Sequence, residues 1–292
     1  MFFSKRNLVL VVMLVCGASY AAEISYEGET NALWIIGQIE RGDANKFREA
    51  VSTPPRKESP ITVRLASSGG DVFEAINIGR QLRELFIPAF ESTNSMNGKC
   101  WSTLSFTARE LEERGSDSCG CHSSCFVIWA GSPYRTGGPY EEGGPDGIGI
   151  HRPRFDSTYF AGLSAAEAET EYKRLTGLVM QYLKEMGIPD ELAEKMFSIS
   201  SGDIYLLSDS EIESLKSPPA IAEWLASKCG EISKGDQSDY DSYSLRVIQG
   251  MLDDKDYLSD IENRHFELVQ GKIGDNQQCK ADAIIGEQTS RR

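Results

Sequence analysis

The sequence is short of basic residues. Its 292 residues contain 30 Lys plus Arg against 44 Asp plus Glu, which gives a formal net charge of −14. Such a charge repels phosphate backbones and anionic lipid headgroups, so it argues against nucleic acids and membrane surfaces as partners. Disorder is disfavoured too, because 40% of the residues are hydrophobic and the chain is long enough to bury one large core or two modest ones.

Long apolar runs are missing beyond the N-terminus. There, Lys5 and Arg6 precede an apolar stretch from Leu8 to Val15, and small residues follow up to Ala22. This layout predicts a secretory signal peptide at residues 1–21, and we expect an exported protein without membrane association after cleavage. A retained anchor is the alternative, although the apolar stretch is shorter than the ~20 residues of a membrane span.

Cysteine is concentrated in the part of the chain that follows this segment. The six cysteines there are Cys100, Cys119, Cys121, Cys125, Cys229 and Cys279. An even number in an exported protein predicts disulfides, and we favour Cys229 with Cys279 because both lie in the C-terminal tail. A bond between Cys121 and Cys125 is disfavoured, since on a predicted helix their Cβ atoms would lie about 5–6 Å apart. Cys100 is then the expected partner of one of the three clustered thiols.

The stretch from Cys119 to Cys125 also allows a second interpretation. It places three thiols and His122 at short spacing, and these are soft ligands that could hold a metal ion. Structural zinc sites usually draw on two separated ligand pairs, and an oxidising compartment favours disulfides. We therefore expect no metal, and His122 is interpreted as a loop residue.

The hydrophobic pattern of the first half predicts alternating strands and helices. Strands are expected at 32–39, 61–65 and 87–91, with a short helix opening at Asp43. The second strand ends at a Ser-Ser-Gly-Gly turn, and an amphipathic helix covers 71–86. Strand, glycine turn and helix form one unit.

In the second half, Ser123 is expected to open a buried helix that runs through Gly131, and a strand at 147–153 delivers His151. A capping box, Ser164 with Glu167, predicts a long helix to Met186. The further expected elements are a helix at 190–197, a strand at 204–207, a helix from 208, a linker at 234–238, a helical hairpin or docked helix at 242–272 and mobile final residues.

Histidine is scarce, which narrows the choice of a general base. Of the three, His265 lies on an apparent surface helix, and His151 stands at a strand end from which its ring can project into a cleft. A hydroxyl nucleophile needs such a base and two N–H donors for the oxyanion. Gly70, with no side chain, and the serines that open the second helix are candidates for these roles. Taken singly, each feature is more often a turn, a helix cap or a buried histidine.

The order of these motifs resembles the Clp-protease/crotonase superfamily, and most of all its secreted, periplasmic Clp-protease-like members. The segments that carry the resemblance are Ile36-Gly37-Gln38-Ile39, Ser68-Gly69-Gly70, Ser123-Ser124-Cys125 and Ile150-His151-Arg152-Pro153. The resemblance covers roughly residues 30–225. It implies an α/β fold built as a spiral of ββα units, a serine hydrolase that acts on peptide bonds without a cofactor, and a homo-oligomer, either a trimer or a larger ring.

The resemblance also implies site residues. Ser123 would be the nucleophile and His151 the base, while Gly70 and Ser124 would supply the oxyanion donors. A slip of one residue would exchange the two serines. Asp203 is the candidate third member, although it lies one residue further from Ser208 than the family spacing predicts, and an N-cap or loop role is equally consistent. An insertion at 93–118 and a glycine-rich loop at 136–147 depart from the family pattern and flank the site.

We therefore divide the chain into a signal peptide at 1–21, a Clp/crotonase-like domain at 22–227 and a helical extension at 228–292. The leading hypothesis is an ATP-independent periplasmic serine peptidase with peptide or protein substrates. A second hypothesis, a catalytically inactive scaffold that binds a peptide or protein partner, is favoured by the uncertain acid. Acyl-CoA chemistry is the least consistent with export.

Overall fold

The computed structural model describes residues 22–27, 29–56, 59–91, 94–96, 99–101, 120–136, 147–216, 218–253, 255 and 257–291. The expected signal peptide, most of the 93–118 insertion and most of the 136–147 loop lie outside these residues. The described part is a mixed α/β structure.

The larger sheet has the strand order β1-β2-β3-β4-β8. Its strands are β1 (Glu23–Tyr26), β2 (Ala32–Ile36), β3 (Thr62–Ala66), β4 (Ala89–Glu91) and β8 (Arg135–Thr136). β1 is antiparallel to β2, and all other pairs are parallel. Two helices, α1 (Asp43–Ser52) and α2 (Val72–Glu84), connect β2 to β3 and β3 to β4. The continuous apolar run of β2 suits a strand that is covered on both faces, whereas in β3 the half-buried Thr62 and Arg64 alternate with buried residues.

A smaller sheet follows the order β10-β9-β7. Its strands are β7 (Cys121–His122), β9 (Ile148–Ile150) and β10 (Tyr205–Leu206). β7 and β9 are parallel, while β10 is antiparallel to β9. Backbone bonds join this sheet to the end of β3, because Ser67 donates to Gly120 and accepts from His122. A separate hairpin consists of β5 (Asn94–Met96) and β6 (Lys99–Trp101).

Helices form the rest of the described chain. They are α3 (Ser124–Gly131), a 3₁₀ turn (Ser157–Phe160), α4 (Ala165–Glu185), α5 (Asp190–Ser198), α6 (Asp209–Leu215), α7 (Pro219–Cys229), α8 (Lys234–Asp253) and α9 (Asp260–Arg291). The capping box of Ser164 and Glu167 is present at the start of α4, and Ser208 with Glu211 forms a second one before α6. α3 is buried along its whole length.

The packing of α2 against α3 depends on two glycines. A Cβ atom on Gly131 would lie 2.4 Å from the Cα of Gly79, and one on Gly79 would lie 1.9 Å from the Tyr182 hydroxyl oxygen. That hydroxyl donates to the carbonyl of Val127 at 2.8 Å, which ties α4 to α3. The helices that follow Gly70 and Ser123 are therefore held in backbone contact.

A buried arginine fixes the other end of α3. Arg135, 1% exposed, donates to the carbonyl oxygens of Ala130, Met186 and Leu215. Burial, with a contribution from the neighbouring Arg83 guanidinium, lowers the pKa of Arg135 to about 9. Carbonyl groups at the C-terminal ends of three helices thus accept hydrogen bonds from one guanidinium group. Positive charge is favourable at helix C-termini.

The C-terminal region differs from the expectation in two respects. The segment interpreted as a linker, 234–238, is the first turn of α8, and the final residues, for which no structure was expected, belong to α9, which runs to Arg291. Gln288, 1% exposed, bonds the backbone N–H and carbonyl of Ile61. This docking orders the chain end. Of the two alternatives for 242–272, the structure has a pair of helices, α8 and α9, which extend beyond these bounds on both sides.

Two disulfides lie in the described chain. Cys229 pairs with Cys279, the pairing favoured from the sequence. Cys121 pairs with Cys125, which the sequence argument had disfavoured. That argument was wrong because Cys121 lies on β7 and not on the helix, so the turn at Ser123 brings the two Cα atoms to 5.0 Å. The side chains of Cys100 and Cys119 lie outside the described residues. Disulfides of this kind indicate an oxidising, non-cytoplasmic location.

Within the ranges given above, none of the helices combines the length and the apolar character that a membrane crossing requires.

Candidate functional site

Ser123 occupies a sharp turn between β7 and α3. Its backbone has φ 56° and ψ −120°, a region that residues with a side chain rarely adopt. The Ser123 N–H donates to the carbonyl of Gly149 at 2.9 Å, which fixes the turn against β9. The Ser123 hydroxyl makes no hydrogen bond within the described part of the chain. A strand, a strained turn and a helix are the arrangement that presents a nucleophilic serine in hydrolases.

The turn at Gly69 and Gly70 packs directly against Ser123. Both glycines have positive φ, 111° and 140°. A Cβ on Gly69 would lie 2.7 Å from the Cβ and 3.1 Å from the Oγ of Ser123, and one on Gly70 would lie 2.1 Å from the carbonyl oxygen of Ile39. Only glycine fits at either position. Gly70 was predicted from the sequence, whereas the role of Gly69, which lies directly against Ser123, was missed although the Gly-Gly pair was its signal.

Of the two predicted oxyanion donors, Gly70 belongs to the glycine turn and Ser124 is the first residue of α3. The Ser124 hydroxyl donates to the carbonyl of Gly70 at 2.8 Å, so Ser124 acts as a tie between α3 and the glycine turn. Among the described residues, the backbone N–H groups of Gly70 and Ser124 have no hydrogen-bond acceptor. Ser124 is 4% exposed, whereas Ser123 is half-buried.

The strand register brings His151 to the same edge. β7 and β9 pair Cys121 with Ile148 and His122 with Gly149. Ser123 and His151 therefore follow the ends of two adjacent parallel strands, which lie about 4.8 Å apart. This edge, at the carboxyl ends of the parallel strands, is where open α/β sheets bind ligands.

The imidazole of His151 is not bonded to Ser123 in this structure. Its Nδ1 lies 2.9 Å from the backbone carbonyl oxygen of Arg152. Because a carbonyl only accepts, Nδ1 carries the proton and Nε2 is left with a free lone pair in the neutral ring. A backbone carbonyl thus holds the tautomer that a general base requires.

Asp203 is placed at this edge by the third strand. β10 pairs Tyr205 with Ile150 in antiparallel register. Continued by two residues beyond the strand, this register puts Asp203 opposite Arg152. The strand order then brings Asp203, His151 and Ser123 to one edge in sequence. The Asp203 side chain is exposed and makes no hydrogen bond with His151 among the described residues. Asp203 lies two residues before β10, and no contact joins its carboxylate to the imidazole in the described chain.

The other two histidines, His122 and His265, have different surroundings from His151. His122 is buried on β7, 6% exposed, and is not the loop residue expected from the sequence. His265 is exposed on α9, and its Nε2 lies 3.1 Å from a carboxylate oxygen of Asp239. The sulfurs of Cys121 and Cys125 are bonded to each other.

An aromatic cluster that the sequence reasoning missed borders the start of α2. Phe73 packs against Phe155 and Tyr159, with ring centroids 6.1 and 5.5 Å apart, and Phe155 packs against Tyr172. Burial, reinforced by the carboxylate of Asp71, raises the pKa of the Tyr159 hydroxyl. The signal was the run of aromatic residues shortly after His151. These rings hold the segment that follows β9 against the helix that follows Gly70.

No protein-family model matches the chain, and no curated protein matches its sequence. Among solved structures, 55 chains match. One is described as a mutant of the 1510-N membrane-bound stomatin-specific protease. It is 17% identical, with a TM-score of 0.40, over 68% of this chain and 84% of that chain. A similarity this distant carries no residue roles, so the site is argued from its own geometry.

Proposed function

We propose that the chain is an exported, ATP-independent serine peptidase of the Clp/crotonase type. In this proposal a signal peptide at 1–21 directs the protein to the bacterial periplasm, residues 22–227 form the catalytic domain with its ββα units, and residues 228–292 form a helical extension. The two described disulfides support an oxidising location.

One observation carries the proposal, namely the strained turn at Ser123 pressed against the Gly69-Gly70 turn. This contact holds the half-buried Ser123 against the glycine turn, and the backbone N–H groups of Gly70 and Ser124 have no acceptor in the described chain. A purely structural turn needs neither the positive φ of a serine nor two glycines beneath it. Donors that converge beside a nucleophile are the requirement for stabilising an acyl-transfer oxyanion.

The geometry supports a two-step acyl transfer. Nε2 of His151 would take the proton of the Ser123 hydroxyl while Oγ forms a bond to the substrate carbonyl carbon. The N–H groups of Gly70 and Ser124 would hold the oxygen that becomes negative. The imidazolium would then give its proton to the leaving amine, and a water molecule would hydrolyse the acyl-enzyme by the same route. The Ser123–His151 bond absent here would form with substrate bound, as catalytic hydrogen bonds often do.

A specific observation also favours a second candidate. The imidazole of His151 is bonded to the Arg152 carbonyl, and Asp203 does not contact it. A catalytically inactive scaffold that binds peptides or a protein partner at the same edge would retain this arrangement without proton transfer. Self-association into a trimer or larger ring belongs to either proposal.

A fluorophosphonate probe separates the two candidates. The peptidase proposal predicts covalent labelling of the intact protein, with the phosphonyl group on Ser123 and loss of fluoride. Ser123→Ala should abolish the adduct. Ser124→Ala should still be labelled, because its backbone N–H remains and only the hydroxyl bond to Gly70 is lost.

Intact mass and peptide mapping give the readout, and thermal unfolding of each variant shows whether it is folded. Absence of an adduct on the folded wild-type protein would favour the scaffold. An adduct on Ser124, with Ser123→Ala still labelled, would exchange the roles of the two serines.

A further inference from the structure

The Cys121–Cys125 disulfide encloses the candidate nucleophile. Its two cysteines lie two residues before and two residues after Ser123, and both are 0% exposed. One sulfur is attached to β7 and the other to the first turn of α3. The bond therefore closes a small ring across the strained turn itself.

The start of α3 lacks the usual means of fixing a helix N-terminus. Its N-cap residue is Ser123, whose side chain makes no capping hydrogen bond, and the first turn contains no acidic residue. By contrast, α2, α4 and α6 are capped by the side chains of Asp71, Ser164 and Ser208. A nucleophile cannot also serve as a cap, because its hydroxyl must face the substrate.

Two hydrogen bonds and the disulfide hold this turn. The hydrogen bonds are the Ser123 N–H to the Gly149 carbonyl and the Ser124 hydroxyl to the Gly70 carbonyl. They fix the turn against β9 and against the glycine turn, but neither joins the strand before Ser123 to the helix after it. The disulfide makes that connection, and the positive φ of Ser123 persists only where its surroundings enforce it.

We infer that the Cys121–Cys125 disulfide positions Ser123 and the Ser124 N–H for acyl transfer, so that the site becomes active only after this bond has formed. The inference rests on the proposed function. Formation of the bond transfers two electrons and two protons from the thiols to a disulfide oxidant, which is reduced to a dithiol. The enzyme would thus be silent in a reducing compartment and active after export.

The chain supplies a matched control in its other described disulfide. Cys229 and Cys279 join α7 to α9, are 50 residues apart in sequence and are half-buried. The test compares Cys121→Ala/Cys125→Ala with Cys229→Ala/Cys279→Ala, and measures inactivation by a fluorophosphonate over a range of probe concentrations. This yields the binding constant of the probe and the maximal rate of labelling separately.

For the first variant we expect a maximal labelling rate about 100-fold below that of the wild type, with little change in probe binding, because small displacements of reacting groups cost rate. The control variant should label at the wild-type rate. A merely structural role of the Cys121–Cys125 bond would lower the fraction of protein that can be labelled and leave the rate of the folded fraction unchanged. That result, or an unchanged rate, would overturn the inference.

A second measurement covers the case in which the double variant does not fold. Folded wild-type protein is incubated with dithiothreitol, which donates two electrons and two protons to the bond and becomes a cyclic disulfide. Alkylation followed by peptide mass reports the thiols at 121 and 125. Labelling should fall as these thiols appear and return on re-oxidation, and unchanged labelling with the bond open would refute the inference. A folded wild type that is never labelled would instead remove the proposed function itself.

Discussion

At the residue scale, the positive φ of Ser123 is explained by comparison with the other non-glycine residue that has one. Two residues other than glycine have positive φ in the described chain, Ser123 and Phe86. Phe86 lies two residues after the end of α2, and its ring packs on Trp224 at 5.0 Å, so its conformation serves the exit from a helix. Ser123 keeps its side chain without a hydrogen bond in the described structure, at a cost of about 1–3 kcal/mol for such a backbone. The strained backbone of Ser123 therefore occurs together with a hydroxyl that has no hydrogen-bond partner in the described chain.

His151 and Asp203 are expected to differ sharply in importance. His151→Ala should slow fluorophosphonate labelling about 10²- to 10⁴-fold, the usual contribution of a general base. Asp203→Asn should change it little, because the Arg152 carbonyl already holds Nδ1 of the imidazole. Rates of labelling for both variants, compared at one pH, check this expectation. An equal loss in the two variants would show that the carboxylate orients the ring when substrate binds.

At the scale of elements, the sequence predicted those whose signals extend over several residues. The strand, glycine turn and helix from Thr62 to Glu84 and the long capped helix α4 are present as expected. β7 was missed because a strand of two residues shows no periodicity, and the error carried over to the Cys121–Cys125 pairing. The antiparallel register of β10 and β9 was equally hidden, since it depends on pairing between strands that are remote in sequence.

The close packing of α2 on α3 predicts that a larger residue at position 131 destabilises the protein. Gly131→Ala should destabilise the fold by about 1–3 kcal/mol, because the new methyl group meets the backbone of Gly79 at 2.4 Å. Labelling of Ser123 should slow as well, since a shift of α3 moves the Ser124 N–H away from Gly70. Denaturant unfolding and labelling rates measure the two effects.

Gly177→Ala on α4 is the control for this substitution. A Cβ there meets nothing within 4 Å, so the change should stabilise the protein by about 0.5–1 kcal/mol through helix propensity. Equal unfolding midpoints for the two variants would contradict the close contact of α2 and α3.

At the scale of the whole molecule, the helical extension is attached far from the candidate site. Gln288 bonds the backbone of Ile61, just before β3, and the carbonyl of Phe86, just after α2. The candidate site lies beyond the opposite end of β3, a strand of five residues that spans about 16 Å. A division at residue 227 could be predicted from composition, but this contact could not, because it joins residues 227 positions apart in sequence.

The position of Gln288 predicts that stability and activity can be separated. Gln288→Ala leaves the N–H of Ile61 and two carbonyl oxygens without their partner, so the free energy of unfolding should fall by about 2–4 kcal/mol. Gln278→Ala, on the exposed side of the same helix, loses only a bond to Asp282 and should change it by less than about 0.5 kcal/mol. Both variants should label at the wild-type rate, because β3 separates the docking point from Ser123. A slower rate in folded Gln288→Ala would show that the extension supports the site through the sheet, and the extension would then belong to the catalytic unit.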